Sequence, residues 1–557
     1  MEKLSEVEKI KQASNYLRGT ITKSIEDQTT GAFLPDDTQL IKFHGFYQQT
    51  DRDLDSERKH QKLEPLYSCM LRIRVPGGVM NSAQWLVLDQ LSHTYGNDTM
   101  KLTTRQAIQL HGVYKTDLQQ VISSFYAVGM DSIAGCGDVN RNVMCHSLPN
   151  INNLHGEVYE AAKLVSAYFT PKTTAWHEIW IDGKQISEDD QQTITDEEPI
   201  YGKTYLPRKF KIAFAIPPSN DTDIYANDIG IIAIIENNAL IGYNITVGGG
   251  LGMTFGMPDT YPRLGDLFGF VPKDQLIPIC EAILTTQRDW GNRENRKFSR
   301  LKYTIDRVGI KTFMSEVERR ADTVFLPAKP FLFTRTGDEY GWSNNTDGTA
   351  NVLLFIEGGR IADGIGKYHL MIKTAMREIA TIHQGTISLT GNQNLAIGNI
   401  SPDTKDDINR ILLKYGLMGN NTLSGMRRNS IACVALNTCT LAFAEAERYL
   451  PFLIDRIELM LYEFNLHQEE ISIRMTGCPN GCGRPYLGEI GLVGRSLGKY
   501  NLYIGAAFNG ERLNKLYKEM CDEEEILQAL RPLLMAYSNE RNNNESFGDF
   551  VVRMNFV

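Results

Sequence analysis

KLTTRQAIQL at residues 101–110 and SLTGNQNLAI at 388–397 carry Leu, Thr and Gln at one spacing: Leu102, Thr103 and Gln106 match Leu389, Thr390 and Gln393. Further out, YNITVG at 243–248 is echoed by YNLYIG at 500–505, and an Ile-Gly pair precedes each, Ile229-Gly230 and Ile490-Gly491. The echoes keep one order in both parts of the chain, which is the signature of tandem duplication. A duplicated chain folds as two related halves, and the surface between them is a natural cofactor site. Strand patterns such as YSCMLRIRV from Tyr67 alternate with helical ones, among them a capping-box start at Thr116, Asp117, Leu118 and Gln119. The expected class is α+β, with three mixed α/β domains, an internal pseudo-two-fold repeat and cofactors between the domains.

The 557 residues exceed one domain and exclude a single small binding module. With 58 Lys+Arg against 67 Asp+Glu the formal charge is −9, and 42% hydrophobic with 22% charged residues is ordinary globular composition. Neither a disordered chain nor a general nucleic-acid binder is expected. The longest apolar run, Ile229 to Ile235, falls far short of the ~20 residues of a bilayer span, so no membrane partner is expected. MEKLSEVEKIKQ has no apolar signal region, and the expected compartment is the cytoplasm.

Nine cysteines suit no disulfide framework in such a chain. Cys69, Cys136, Cys145, Cys280 and Cys521 are scattered, whereas Cys433, Cys439, Cys478 and Cys482 read C-x5-C and C-x3-C. Structural zinc prefers tighter knuckles, so a zinc-stabilised binding protein is the weaker reading. Iron-sulfur clusters tolerate wider spacing and gain from turns whose amides face sulfur. In TGCPNGCGRP (476–485), Gly477, Pro479, Asn480, Gly481 and Gly483 supply such turns.

Three strands carry cations on one face. In RKFKIAFAI, Lys209 and Lys211 alternate with Phe210 and Ile212 beside the small Ala213 and Ala215, which leaves room for something bulky. Arg72 and Arg74 share a face in LRIRV, and Lys101, Thr103, Arg105, Gln109 and His111 share one in KLTTRQAIQLH. Any one such face reads as a solvated outer face, but three are hard to dismiss together.

CVALNTC (433–439) followed by TGCPNGCGRP resembles the cluster motif of the sulfite and nitrite reductases that couple a [4Fe-4S] cluster to sirohaem. The resemblance extends through SNYLRGTI (14–21), FHGFYQQTDRD (43–53), LRIRVPGG (71–78), NRNVMC (140–145), TYLPRKFK (204–211), TTQRDWGNR (285–293) and SFGDF (546–550). It implies that all four cysteines bind the cluster and that Cys482 also ligates the sirohaem iron. It further implies that Arg74, Arg141, Lys209 and Lys211 hold sulfite. Lys101, Arg105, Gln109 and Arg208 then contact the macrocycle or its carboxylates, with Thr103, Asn142 and Gln393 as further cofactor-binding residues. Lys101 stands where relatives often carry Arg, which keeps the charge and loses the bidentate fork. His111 is expected to pack or hydrogen bond rather than ligate metal.

The implied layout is an extended N-terminal arm (1–66) and a ferredoxin-like half-repeat pair (67–133 plus 338–420). A sirohaem and substrate domain (134–337) and a cluster and sirohaem domain (421–557) complete it. The implied activity is reduction of sulfite to sulfide for cysteine biosynthesis, with sirohaem nitrite reduction or ferredoxin-dependent sulfite reduction as alternatives. VGGGLG (247–252) lacks the G-x-G-x-x-G order and GIGKYH lacks the P-loop pattern, so no nicotinamide or flavin module is expected. Electrons then come from a partner, an NADPH-dependent flavoprotein subunit or, as the alternative, ferredoxin.

Overall fold

The computed structural model describes residues 4–183, 196, 198–365, 369–418 and 423–557; the expected boundary at 420/421 lies outside them. Two five-stranded antiparallel sheets form the centre. One runs Phe46–Thr50, Tyr67–Ile73, Ile108–Val113, Met100–Leu102, Arg360–Ile361, and the other Gly341–Asn344, Ala350–Leu354, Leu395–Ile400, Thr386–Leu389, Val79–Asn81. Strand for strand the order is the same, and each sheet is finished by a short strand from the other half. Arg360 pairs with Lys101, and Met80 with Ile387.

The two echoes form the turns at the centre of this exchange. Gln106 and Gln393 both take positive φ, 49° and 70°. Gln106 Nε2 donates to the Leu389 carbonyl at 2.9 Å, and Gln393 Nε2 donates to the Leu102 carbonyl at 3.3 Å. Each half therefore latches the other. Only glycine fits beneath these latches: a Cβ on Gly78 would lie 2.5 Å from the Leu389 carbonyl oxygen, and one on Gly359 2.8 Å from that of Leu102.

The outer units repeat as well. Ile212–Ala215 runs parallel to Ile229–Glu236, which turns back through Ala239–Val247 and Asp266–Pro272 into helix Leu276–Trp290. Ile473–Thr476 runs parallel to Ile490–Ser496, which turns back through Lys499–Ile504 and Lys515–Cys521 into helix Glu523–Glu540. The Ile-Gly pairs start the equivalent strands, and IGIIAI is apolar throughout because both of its faces are buried.

The arm is not simply extended. It carries the helices Glu6–Ala13, Ile21–Glu26 and Asp55–His60, and Phe46–Thr50 extends the first sheet. Leu17, Ile21, Leu40, Ile41, Phe43 and Phe46 are buried, an apolar set spread too thinly along the chain to read as periodic. The expected capping box at Thr116 is absent: the helix starts at Leu118 after a tight turn, without a side-chain cap. Asn81 and Gln84 form the real box that starts Ser82–Thr94. No helix among the described residues is long and apolar enough to cross a membrane.

Candidate functional site

Strands Ser430–Ala432 and Ile473–Thr476 lie parallel and release Cys433 and Cys478 at one sheet edge, where Cys433 N donates to the Met475 carbonyl at 3.2 Å. Gly477 N donates to Cys433 Sγ at 3.4 Å and Asn480 Nδ2 to Cys478 Sγ at 3.5 Å, the amide-to-sulfur contacts that offset thiolate charge. Gly477 has no room for a Cβ, which would meet the Ala444 carbonyl oxygen at 2.4 Å. Burial and then the neighbouring Cys482 raise the Cys433 thiol well above its usual range, and the same causes raise Cys439 and push Cys478 up to about 12. The four sulfurs thus share one electrostatic environment. The C-x5-C and C-x3-C spacings are unlike the tighter knuckles of structural zinc. The quartet's chemistry suits a multi-iron cluster.

Two segments absent from the motif hold this centre. Arg52 Nη1, from the arm, donates to the carbonyls of Cys439 at 2.8 Å and Ala442 at 3.0 Å. The glycine run 248–252 packs on the CPNGC turn: Met253 N donates to the Pro479 carbonyl at 2.9 Å, and Lys302 Nζ donates to the carbonyls of Gly250 and Gly252. VGGGLG is therefore a seat for the cysteine turn. A Cβ on Gly249 would lie 2.0 Å from the Tyr225 carbonyl oxygen.

Cys482 is the exposed member of the quartet. It neighbours a concentration of cations: Lys209 feels Arg208, Cys482, Arg300 and Arg141, and Lys211 feels Arg105, Lys209 and Arg300. Burial, then Arg208, pushes the Lys209 ammonium down to about 7, and burial, then Arg105, drives Lys211 well below its ordinary value. Arg105 and Arg208 are lowered to about 9 and about 10, first by burial and then by Arg484 and Arg296 respectively. Among the described residues neither lysine ammonium makes a hydrogen bond or an ion pair. Arg208 meets Asp138 at 3.9 Å and Arg300 meets Asp228 at 3.1 Å, which leaves the two lysine ammonium groups beside them to receive anions.

The expected site residues divide into groups. Arg105, Arg141, Arg208, Lys209 and Lys211 converge beside Cys482, and Thr104 Oγ1 donates to the Cys482 carbonyl at 2.9 Å. Arg141 is oriented by the carbonyls of Gly137 (2.8 Å) and Gly135 (3.2 Å). Thr103 Oγ1 accepts from Arg105 N and Ala107 N and shapes the turn.

Five expected site residues make other contacts in the structure. Arg74 is not in the cation ring: Nε and Nη2 grip both oxygens of Asp131 at 2.6 Å, and Nη1 donates to Thr170. Arg72 takes that place, within reach of Tyr47, Cys136 and Cys482, with Nη1 on Cys136 Sγ at 3.0 Å. The strand ends at Ile73, so Arg74 lies past the pleat, in the stretch that leads into the Pro-Gly-Gly turn. Asn142 spends its amide on Val75, Arg105 and Gln106 backbone, and Gln393 on Leu102 and Ala432, so both position the chain. Lys101 is buried against Glu447 (2.8 Å) and the Gly358 carbonyl. Gln109 sets its amide oxygen on Arg72 and its nitrogen on His111, whose imidazole burial pushes down to about 3.

A family described as the nitrite and sulphite reductase 4Fe-4S domain matches residues 160–325, and the nitrite/sulfite reductase ferredoxin-like half domain matches 60–128. The sulfite reductase [NADPH] hemoprotein beta-component of Staphylococcus epidermidis is 52% identical over 550 residues, 99% of this chain and 95% of that protein. The chain belongs to the nitrite and sulfite reductase family. A protein of the same name from Geobacillus kaustophilus is 52% identical over 553 residues, 99% of this chain and 96% of its own. The solved Mycobacterium tuberculosis NirA protein shares the fold, with a TM-score of 0.79, 22% identity, and coverage of 99% of this chain and 97% of its own. This family member is an oxidoreductase, and a [4Fe-4S] cluster and sirohaem go with that membership. The 160–325 match falls on the unit whose sheet repeats that of the cysteine quartet, not on the quartet itself.

Proposed function

We propose that the chain reduces sulfite to sulfide, serving cysteine biosynthesis in the cytoplasm, with electrons from an NADPH-dependent flavoprotein subunit. The relatives' name, a beta-component, supports a second subunit of that kind. Cys433, Cys439, Cys478 and Cys482 would hold the cluster, with Cys482 the sulfur turned toward the sirohaem. When bound, the two cofactors would relay the partner's electrons and offer the iron that no side chain can supply.

The protein's own part is electrostatic. Arg72 and Arg141, permanently charged, would clamp the oxyanion, each oriented by Gly135 or Gly137 backbone or by Gln109. Lys209 and Lys211 carry ammonium groups that burial has made easy to deprotonate, so either can hand a proton to a departing oxygen. Arg105 and Arg208 would meet macrocycle carboxylates. The observation that carries this reading is the pair of unpartnered lysines beside Cys482.

Its first test is a visible spectrum with iron and acid-labile sulfide analysis, then turnover on sulfite and nitrite with one chemical reductant. Sulfite carries up to two charges near neutral pH and nitrite one. At an effective dielectric of ~20 a charge pair ~4 Å apart is worth about 4 kcal/mol before screening. Lys209→Met and Lys211→Met should each lower kcat/KM for sulfite about tenfold more than for nitrite. Equal losses on both anions, with the spectrum intact, would remove the charge reason for preferring sulfite.

A further inference from the structure

Lys101 pairs across the exchanged strand with Arg360, so a residue from each half points at one place. That place is filled by Glu447, from the segment that follows the first cysteine pair. Arg360 Nε meets Glu447 Oε1 at 2.7 Å, Arg360 Nη2 meets Oε2 at 3.0 Å, and Lys101 Nζ meets Oε2 at 2.8 Å. Arg360 Nη1 is fixed in turn by Thr99 Oγ1 at 3.1 Å.

The triad is tied to the cluster motif through the backbone. Glu447 N donates to the carbonyl of Cys433 at 3.1 Å, and the Cys433 thiol is among the charges that Lys101 feels. Gly358, with φ of 59°, leaves just the space the carboxylate stem needs, since a Cβ there would touch Glu447 Cγ at 3.0 Å. Lys101 is 1% exposed and committed to Glu447 and Gly358. Its ammonium therefore faces the cluster segment, not a macrocycle carboxylate.

We propose that Glu447, held by Lys101 and Arg360, is a positioning residue that sets the fixed charge seen by Cys433 and thereby tunes the reduction potential of the cluster. The inference rests on the cluster reading above. The triad carries two cations and one anion, a net positive charge in a buried site, which favours the reduced, more negative cluster. Removing the anion strengthens that bias, and removing a cation weakens it.

The test is an EPR-monitored redox titration of the holoenzyme. Glu447→Gln should raise the midpoint potential and Lys101→Met should lower it, each by about a tenfold change in the one-electron equilibrium, or about 59 mV. Sirohaem absorption should survive in both. A merely structural role would not shift the two variants in opposite directions. Unmoved potentials, or shifts of one sign with iron and sulfide retained, would overturn the proposal. So would loss of the sirohaem band in Lys101→Met with the cluster potential unchanged, which would return Lys101 to the macrocycle. Should Glu447→Gln lose its cluster, Arg360→Gln removes a cation without touching the cysteine segment and must lower the potential; an unchanged value overturns the proposal. Wild-type protein without iron and sulfide would fail the cluster reading itself, and this inference with it.

Discussion

At Lys209 burial and neighbouring charge act on one ammonium in the same direction. Its ammonium titrates near 7 in the folded chain, depressed first by burial and then by Arg208. The unfolded chain keeps it near ~10.4. Between those values the unfolded chain binds a proton the folded chain does not, so stability rises with pH across that window and the full penalty applies below its lower edge. The cofactor-free protein should gain up to a few kcal/mol from neutral pH to ~10, and Lys209→Met should be more stable at neutral pH with a flatter profile. Thermal melts of the two proteins across that range check this, and parallel profiles would contradict it. The neighbouring arginines separate in the same way by chemistry. Arg72→Met should cost about tenfold or more in kcat/KM for sulfite with little change in Tm. Arg74→Gln leaves Asp131 without its fork and should cost about 1–3 kcal/mol of stability while the active pocket stays intact. Period-two reading put both arginines on one face, and the structure parts them because the pleat stops at Ile73.

At the level of elements, the sequence showed the duplicated turns and the cysteine pairs because each is a local pattern with a local cause. Gln106 and Gln393 are visible as an echo, and the latch they form follows from the positive φ both adopt. What could not be read was long-range. Glu447 and Arg360 carry no motif of their own: the crossing of strands between halves brings Arg360 to Lys101, and Glu447 reaches both from the segment after the first cysteine pair. VGGGLG looked like a failed nucleotide loop until its glycines were seen to lie under Asn480 and Tyr225. Arg52 gives the arm a purpose: one guanidinium spans the carbonyls of Cys439 and Ala442. Each hydrogen bond from a charged donor is worth about 1.5–3 kcal/mol when buried and less here, where Arg52 is half-exposed. Arg52→Gln should therefore lose iron and acid-labile sulfide in air several-fold faster than wild type, at unchanged initial content. Equal loss rates would show that the arm only covers the surface.

Across the whole molecule, apolar packing and polar fastening divide the chain in different places. One hydrophobic core runs from Leu17 to Leu417 and takes in the arm, both exchanged sheets and the Ile212–Pro272 unit. A second core, from Met426 to Val551, belongs to the cysteine-bearing unit alone. The join between them is mainly polar: Arg427 to Glu357, Arg474 and Arg484 to Asp223, Glu447 to Arg360 and Lys101, with a small apolar group around Leu251, Tyr486 and Leu487. The cations gather at this same join, with Lys209 and Thr104 on one side and Cys482 on the other. Without its anionic cofactor the join sets cations against one another, Arg105 against Arg484 being one case. Cofactors bound across it add binding free energy to the folded state of both units at once, about 4 kcal/mol for a ligand at a thousandfold excess over its Kd. Calorimetry should accordingly give two transitions for protein made without sirohaem and cluster, one for each core, and a single transition at higher temperature for the holoenzyme. The first of the two should be insensitive to Arg74→Gln if it belongs to the cysteine-bearing unit, since Arg74 and Asp131 lie wholly within the larger core's share of the chain. A single cooperative transition in the cofactor-free protein would show that the ion pairs alone couple the two cores.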